Sequence, residues 1–284
     1  MKNNSYLCGK FAYIKYMGSV LFADSGSTKT KWMLRGESDS FLETEGINPM
    51  HQDFAQIEKV LDELEKWLVE VPAKVCFYGA GCAEMASCDS LAGQLKRHTH
   101  CDVVTVESDI IGAARFLFGD SRGVACILGT GSNSVLWDGA KVVMNVHAGG
   151  FILGDEGSGA VFGRRLLSDF VKGLTPEPLD SILRDRYGLD YFNIIERVYR
   201  QTLPNRYLAS YTHLLGEHRD LPYVHAMLLD EFERFFTRNV MQYPDAKSLP
   251  VGFVGSIAYH FEAELREAAC RLGVNVTRIM KTPF

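Results

Sequence analysis

The sequence lacks several features that mark common classes of protein. It has no apolar run of roughly 18 residues, the length that a membrane-spanning helix needs, so we expect no membrane partner. Its charged residues are of both signs and their net charge of −5 is small, which argues against nucleic acid as a partner. The first sixteen residues carry lysines but no long apolar core, so no secretion signal is predicted. We therefore expect a cytoplasmic protein.

The cysteines also fail to form a recognisable pattern. There are seven, an odd number, and no two are spaced as C-x-x-C, so neither a disulfide framework nor a zinc site is predicted. Cys76, Cys82 and Cys88 recur every six residues, but reduced thiols of a cytosolic protein are the simpler interpretation. The chain also lacks a Walker P-loop and an H-E-x-x-H metal motif.

A first loop rich in glycine and hydroxyl residues follows the apolar segment 20–23. Its residues are Asp24, Ser25, Gly26, Ser27, Thr28, Lys29 and Thr30. Such a turn brings backbone N–H groups close to an oxygen-rich anion, and the hydroxyls add hydrogen bonds. Asp24 is suited to hold a hydrated Mg²⁺ ion. The loop therefore predicts a phosphate site with magnesium.

A second loop of the same kind follows the apolar segment 124–128. Its residues are Gly129, Thr130, Gly131, Ser132 and Asn133. Each loop lies between two apolar segments and so predicts the turn of a β-hairpin. We expect the two turns to lie on two different lobes and to bind the phosphates of the same nucleotide.

The order of elements predicts a duplicated α/β architecture. Residues 17–113 have the order β-β-β-α-β-α-β-α, including an amphipathic helix over 52–70 and a helix over 109–118 that follows the strand 101–107. The same order restarts at Gly123, so we expect a second lobe over 114–284 with a helical insertion over about 173–245. A chain of 284 residues is long enough for two such domains.

Four motifs in this order resemble those of a known family. They are D-x-G-x-T-x-T at 24–30, G-T-G-S-N at 129–133, G-D-E-G-S at 154–158 and V-G-S-I at 254–257. The chain resembles the sugar kinase/Hsc70/actin superfamily, and within it the N-acetylglucosamine kinase and BadF/BadG/BcrA/BcrD ATPase group. The resemblance implies a two-lobed ribonuclease-H-like, actin-like ATPase fold with mixed-sheet lobes and a nucleotide cleft between them.

The resemblance also implies an activity. It is the ATP- and Mg²⁺-dependent phosphorylation of an amino sugar, most simply N-acetylglucosamine at its 6-hydroxyl. N-acetylmuramate and glucosamine are the alternative acceptors. A homodimer is an open alternative to a monomer. Asp109, which follows a predicted strand, is our choice for the base that faces the acceptor hydroxyl. Its alternative role is to cap the following helix.

The four motifs, together with the Gly-Ile-Asn-Pro turn at 46–49 and a Gly-Gly pair at 149–150 that matches the family, imply the remaining site residues. The expected phosphate ligands are Gly26, Ser27, Thr28, Lys29, Thr30, Gly129, Thr130, Gly131 and Ser132. The expected sugar ligands are Asn48, Asn133, Gly149, Gly150 and Asp155, since carboxylate and amide groups bind sugar hydroxyls well. Gly255 and Ser256 are expected beside the adenosine. Asn48 and Asp155 have structural alternatives, as a turn former and a helix cap.

Two other functions remain open at this point. One is an ATPase that activates a partner enzyme, of the BadF/BcrA type, in which cysteines hold an iron–sulfur cluster across a dimer. The other is a sugar-binding regulator that has lost phosphoryl transfer. The G-D-E-G-S motif favours a sugar over the first, and the presence of both Asp24 and Asp109 argues against the second.

Overall fold

The protein folds into two α/β units. A computed structural model describes residues 18–26, 28–50, 52–82 and 85–284. The first unit runs up to Asp120 and includes Pro283–Phe284, and the second is Ser121–Thr282. The boundary expected after residue 113 falls inside a helix that starts at Asp109 and ends at Phe118.

The first unit is a five-stranded mixed sheet with three helices. Its strands have the order β3-β2-β1-β4-β5, in which β1 pairs parallel with β4 and β4 with β5, and the β1–β2–β3 pairings are antiparallel. The strands are β1 (Val20–Ser25), β2 (Lys29–Arg35), β3 (Ser40–Glu45), β4 (Lys74–Gly79) and β5 (Val104–Ser108). The helices are α1 (Phe54–Trp67), α2 (Met85–Thr99) and α3 (Asp109–Phe118).

Helices cover both faces of this sheet because successive residues of a strand point to opposite sides. Leu21 and Ala23 of β1 belong to a core that includes the apolar stripes of α1 and α2. Phe22, between them, packs on the other face against Phe116 of α3 and against Phe284. The strand predicted over 101–107 is shorter in the structure, where β5 begins only at Val104.

The second unit repeats this arrangement. Its strands have the order β10-β9-β6-β7-β8, with β6, β9 and β10 parallel to one another. They are β6 (Gly123–Leu128), β7 (Ser132–Trp137), β8 (Val142–Val146), β9 (Val251–Val254) and β10 (Val276–Met280). The helices are α4 (Gly150–Leu153), α5 (Gly159–Val171), α6 (Leu179–Ser181, continued as one π-helical turn over Ile182–Arg186), α7 (Tyr191–Tyr199), α8 (Pro204–Ala209), α9 (Thr212–Glu217), α10 (Pro222–Arg238), α11 (Ser256–His260) and α12 (Glu262–Leu272). A 3₁₀ turn spans Val240–Gln242.

One predicted helix of the second unit is broken. The sequence pattern predicts a single helix over about 257–272. The structure divides it into α11 and α12 at Phe261, whose φ of −111° and ψ of 34° leave the helical region. The Phe261 side chain is buried and packs against Phe162 of α5, in a core rich in phenylalanine. Tertiary packing thus overrides a continuous helical pattern. Within the described part of the chain, no helix combines the length and apolar character needed to cross a membrane.

Candidate functional site

In the first unit, the polar side chains of interest lie where the parallel strands end. The register aligns Ser25 of β1 with Gly79 of β4, and Gly79 with Ser108 of β5. Because parallel strands finish at the same edge, Asp24 and Asp109 are brought to that edge from distant parts of the sequence. Both side chains are half-buried.

The charge of Asp109 affects the ionisation of Asp24. Burial, together with the charge of Asp109, raises the pKa of Asp24 to about 7, and Lys31 partly opposes this shift. Burial also raises the pKa of Asp109 above its ordinary value. Hydrogen bonds from the Ser108 hydroxyl (3.1 Å) and the Ile110 N–H (2.8 Å) to Asp109 Oδ1 act in the opposite direction. The edge is therefore suited to a cation or a proton between two carboxylates.

The bond between Ile110 N–H and Asp109 Oδ1 bears on the capping alternative. Asp109 is the first residue of α3, and Ser108 is the N-cap without a side-chain capping bond. Asp109 thus satisfies one backbone donor of the first turn through one oxygen. This contact is compatible with a second role for the carboxylate, because only Oδ1 takes part in it.

A buried hydroxyl pair holds the segment that carries Asn48. The hydroxyls of Ser25 and Thr30 lie 2.7 Å apart, and both side chains are fully buried (0% exposed). Ser25 Oγ donates to the Ile47 carbonyl (2.9 Å), while the Ile47 N–H lies 2.9 Å from Ser25 Oγ and 3.1 Å from Thr30 Oγ1. The Thr30 hydroxyl, expected to bind phosphate, is therefore engaged inside the unit, and we assign it a structural role.

Asn48 itself is buried against the turn after β4. Its N–H donates to Gln52 Oε1 (2.7 Å), and its Oδ1 accepts from the Met50 N–H (3.0 Å). Gly81 has a φ of +80°, and a Cβ there would lie 2.2 Å from Asn48 Oδ1, so only glycine fits beside the amide. These contacts fix the amide plane of Asn48.

The tip of the first hairpin is more open. The N–H of Gly26 donates to the Lys29 carbonyl (3.0 Å), which closes the turn, and Thr28 is exposed. Lys29 forms an ion pair with Glu43 on β3, so its ammonium is held at the neighbouring strand. Ser27, also expected to bind phosphate, lies outside the described residues.

In the second unit, the corresponding turn follows β6. The Gly129 N–H donates to the Gly131 carbonyl (2.9 Å). The first N–H groups of α5, from Gly159 and Ala160, donate to the carbonyls of Gly129 (2.8 Å) and Thr130 (3.0 Å). The turn is thus fixed by the start of a helix, and Gly129, Thr130 and Gly131 are half-buried.

Asp155 lies directly against this turn. Its carboxylate accepts from the Ser132 N–H, and a Cβ at Gly131 would lie 3.0 Å from its Oδ2. Asp155 adopts a left-handed backbone (φ of 53°), which is uncommon for a residue other than glycine, and its N–H donates to the Ala148 carbonyl (2.9 Å). Burial raises its pKa to about 6, against the opposing hydrogen bond from Ser132. The helix cap of α5 is Ser158, so Asp155 does not have the capping role that was its alternative.

Three other expected sugar ligands, Asn133, Gly149 and Gly150, belong to the second unit with Asp155. Asn133 Oδ1 accepts from the Ser134 N–H (2.9 Å) and from Asn145 Nδ2 (3.1 Å). Gly149 and Gly150 are exposed and have positive φ angles of 79° and 72°, which glycine adopts without strain.

A pocket of about 310 Å³ adjoins this segment. Its lining includes His147, Gly149, Glu156, Arg238 and Asn239. The carboxylate of Glu156 is buried and bound by Arg238 Nε (2.5 Å) and Asn239 Nδ2 (3.3 Å), so it ties the G-D-E-G-S segment to α10.

Gly255 and Ser256 follow β9, next to the end of β6. Gly255 has a φ of +129°, and a Cβ there would lie 2.1 Å from the Leu128 carbonyl oxygen. Its N–H donates to the Met280 carbonyl (2.9 Å). Ser256 begins α11 and is exposed.

Sequence reasoning missed two charged residues beside the candidate carboxylates. Lys31 lies directly opposite Asp24 in the hairpin register, and this pairing could have been found from the turn length alone. Arg164 of α5 donates to the Phe151 and Ile152 carbonyls and opposes the raised pKa of Asp155. No local sequence signal marks Arg164, because its contact depends on how α4 packs on α5.

Comparisons with known proteins place this geometry in a family. No protein-family model matches the chain, and no curated protein matches it either. Among solved structures, the "putative N-acetylglucosamine kinase" from Porphyromonas gingivalis is 40% identical, with a TM-score of 0.86 over 93% of this chain and 95% of the other.

More distant structures share the fold alone. The "putative N-acetylglucosamine kinase" from Chromobacterium violaceum is 20% identical, with a TM-score of 0.74 over 92% of this chain and 94% of the other. A ROK family glucokinase from Streptomyces griseus, solved with glucose and AMPPNP, is 16% identical, with a TM-score of 0.58 over 93% and 94%. The predicted two-lobed actin-like architecture is confirmed. With 40% identity over nearly the whole of both chains, this protein belongs to the N-acetylglucosamine kinase family.

Proposed function

We propose that the protein is an ATP-dependent sugar kinase that transfers the γ-phosphoryl group to the 6-hydroxyl of N-acetylglucosamine. The observation that carries this proposal is the pair of half-buried carboxylates, Asp24 and Asp109, at the edge where β1 and β5 end. Family membership through a 40% identical relative supports the same activity.

Asp109 acts in this proposal as the general base. The sugar 6-oxygen attacks the γ-phosphorus, its proton passes to the Asp109 carboxylate, and the bond between the γ-phosphorus and the bridging oxygen breaks to release ADP. Phosphoryl transfer needs alignment and charge neutralisation more than covalent help, so a single positioned carboxylate is sufficient.

Asp24 would hold Mg²⁺ through water. The fit rests on chemistry in the first unit: two like-charged carboxylates at one edge, and a pKa of Asp24 raised by burial and by Asp109, are conditions that a divalent cation relieves. When bound, Mg²⁺ would neutralise charge on the phosphates. The chain's own contribution is to hold the carboxylate at the end of β1 beside a turn that closes on Gly26.

The phosphate ligands in this proposal are the open hairpin turns. Thr28 is exposed, and the turn at Gly129, Thr130 and Gly131 is fixed by the start of α5, so its groups are preorganised for an anion. Gly255 would let adenosine approach the backbone, because there is no room for a side chain at its position.

The sugar ligands are Asn48, Asn133, Gly149, Gly150 and Asp155. In Asn48 and Asn133 the side-chain oxygen is bound within the protein, which orients the Nδ2 donor for a sugar hydroxyl. Asp155 has its carboxylate held by Ser132, and its remaining lone pairs would accept hydroxyl hydrogen bonds.

An assay of ADP release across a sugar panel tests the proposal. With Mg²⁺-ATP, we expect turnover with N-acetylglucosamine above that with N-acetylmuramate, glucosamine and glucose, and NMR of the product should locate phosphate on the 6-oxygen. Removal of Mg²⁺ with EDTA should abolish turnover. ATP hydrolysis that is independent of every sugar would favour the activator ATPase, and sugar binding without turnover would favour a regulator; either result would overturn the kinase.

A further inference from the structure

A cluster of ligand-type side chains lies between α1 and α2 of the first unit, outside the candidate active site. It consists of Asp62 and Glu65 on α1 and His98 on α2, with the ligand atoms all within 4.8 Å of one another. Among the described residues, no other group of three or more histidine, cysteine or acidic side chains has its ligand atoms this close together. The spacing of the cysteines predicts no zinc site, but this cluster contains no cysteine.

The orientation of His98 is determined by a carboxylate on one side of its ring. Nε2 lies 3.1 Å from Glu58 Oε2, and Glu58 Oε1 is bound by the Arg97 guanidinium (2.8 Å). A carboxylate paired with arginine accepts hydrogen bonds, so Nε2 carries the proton and donates it. The His98 side chain is only 9% exposed, so water cannot replace this contact.

The other ring nitrogen then faces only acceptors. His98 Nδ1 lies 2.9 Å from Glu65 Oε2 and 3.8 Å from Asp62 Oδ1. A lone pair and two carboxylates repel one another unless a positive charge lies between them. That charge is either a second proton on the ring or a metal ion.

We propose that Asp62, Glu65 and His98 bind a divalent transition metal ion of the Zn²⁺ type. Two ligands that bind one Zn²⁺ at about 2.0–2.1 Å with tetrahedral angles lie about 3.4 Å apart. The two distances from Nδ1, 2.9 and 3.8 Å, lie on either side of that value. An imidazole with two carboxylates suits Zn²⁺, Ni²⁺ or Cu²⁺ better than Mg²⁺ or Ca²⁺, which prefer oxygen ligands alone.

The surroundings support this assignment. A metal-bound histidine usually donates its other N–H to a carboxylate, and Glu58 provides that partner here. His100 Nε2 lies 3.8 Å from Glu65 Oε1, but His100 is not a member of the cluster, so water would complete the coordination of the ion. A metal ion at this position would link α1 to α2, so its binding energy would stabilise the folded first unit.

Calorimetric titration with Zn²⁺ tests the proposal on the full chain, without sugar or nucleotide. The protein is first dialysed against EDTA and then against buffer with reducing agent. Asp62→Asn and Glu65→Gln remove one exposed ligand each, while Glu63→Gln, on the exposed side of the same helix, is the matched control. We expect wild type and Glu63→Gln to bind one Zn²⁺ per chain at this site. Each ligand variant should lose at least tenfold in affinity.

Thermal unfolding supplies a second measurement. Zn²⁺ should raise the midpoint of wild type and of Glu63→Gln more than that of Asp62→Asn. The proposal is overturned if wild type binds no Zn²⁺, since His98 is then simply protonated between two carboxylates. It is also overturned if Asp62→Asn and Glu65→Gln bind as wild type does, since the ion then resides elsewhere, for example on thiols. The kinase activity enters neither measurement.

Discussion

The hydroxyl of Ser25 binds both backbone groups of Ile47, 22 residues further along the chain. It donates to the Ile47 carbonyl at 2.9 Å and lies 2.9 Å from the Ile47 N–H. One buried side chain therefore ties the end of β1 to the segment that carries Asn48. A motif that suggests phosphate binding thus also holds a proposed sugar ligand.

Replacement of Ser25 by alanine should weaken both the fold and sugar binding. It leaves the Ile47 carbonyl and N–H with fewer partners inside the protein, which costs about 1–3 kcal/mol of stability. The KM for the sugar should rise more than the KM for ATP, because Asn48 follows Ile47. Urea unfolding and steady-state kinetics measure the two effects. Ser38→Ala, at an exposed turn, is the control, and unchanged stability in Ser25→Ala would contradict the packing argument.

Asp109→Asn should stop transfer and leave nucleotide binding intact. An amide cannot take the proton of the acceptor hydroxyl, and loss of a general base lowers kcat by roughly 10²–10⁴-fold. Turnover is measured by ADP release, and nucleotide affinity by calorimetry. Asp102→Asn, an exposed residue before β5, should behave as wild type. If Asp109→Asn keeps near-normal turnover, Asp109 is not the general base and its role is only to cap the start of α3.

Asp155→Asn should change how stability depends on pH. The pKa of Asp155 is about 6 in the folded protein against 3.8 as its ordinary value, so the folded state is favoured when the carboxyl is protonated. The resulting stabilisation is complete below about pH 4 and is lost as pH rises through about 6. Wild type should therefore gain about 1–3 kcal/mol relative to Asp155→Asn between pH 7 and pH 4.

The measurement for Asp155 is denaturant unfolding at several pH values, with Asp185→Asn, an exposed residue of the same unit, as control. A parallel curve for wild type and Asp155→Asn would show that the carboxyl is not perturbed. The sugar KM of wild type should also rise below pH 6, because a protonated carboxyl is a poorer acceptor of hydroxyl hydrogen bonds.

Gly255→Ala should destabilise the second unit by about 3 kcal/mol or more. Its φ of +129° is strained for any other residue, and the new methyl would lie 2.1 Å from the Leu128 carbonyl oxygen. Gly93→Ala is the contrasting variant, since the space beside Gly93 in α2 is open and alanine favours a helix by about 0.5–1 kcal/mol. Thermal unfolding measures both. Equal midpoints would refute the steric argument.

Most elements follow from local pattern. The helix α3 begins at Asp109 and ends at Phe118 as predicted, because an apolar strand followed by a polar residue and an amphipathic stretch is a strong local signal. The break at Phe261 was missed, because it depends on packing against Phe162 rather than on any glycine or proline.

In the candidate site, too, the local sequence predicts some features and only the packed structure shows others. Both threonines of the D-x-G-x-T-x-T motif were expected to bind phosphate, but Thr30 lies at a buried position of β2 and Thr28 at the exposed tip. Strand alternation separates such residues only once the register is known.

By itself, the sequence determined the family, the two α/β lobes and the residue types available for chemistry, since motifs and hydrophobic periodicity are local properties of the chain. Only the tertiary structure decided that Asp24 and Asp109 lie at the same edge of the first sheet, that Asp155 lies on the turn at Gly131, and that three acidic side chains surround His98. The residues brought together in each case are 24 to 85 positions apart in the sequence. Their geometry depends on how sheets and helices pack, which no single segment encodes.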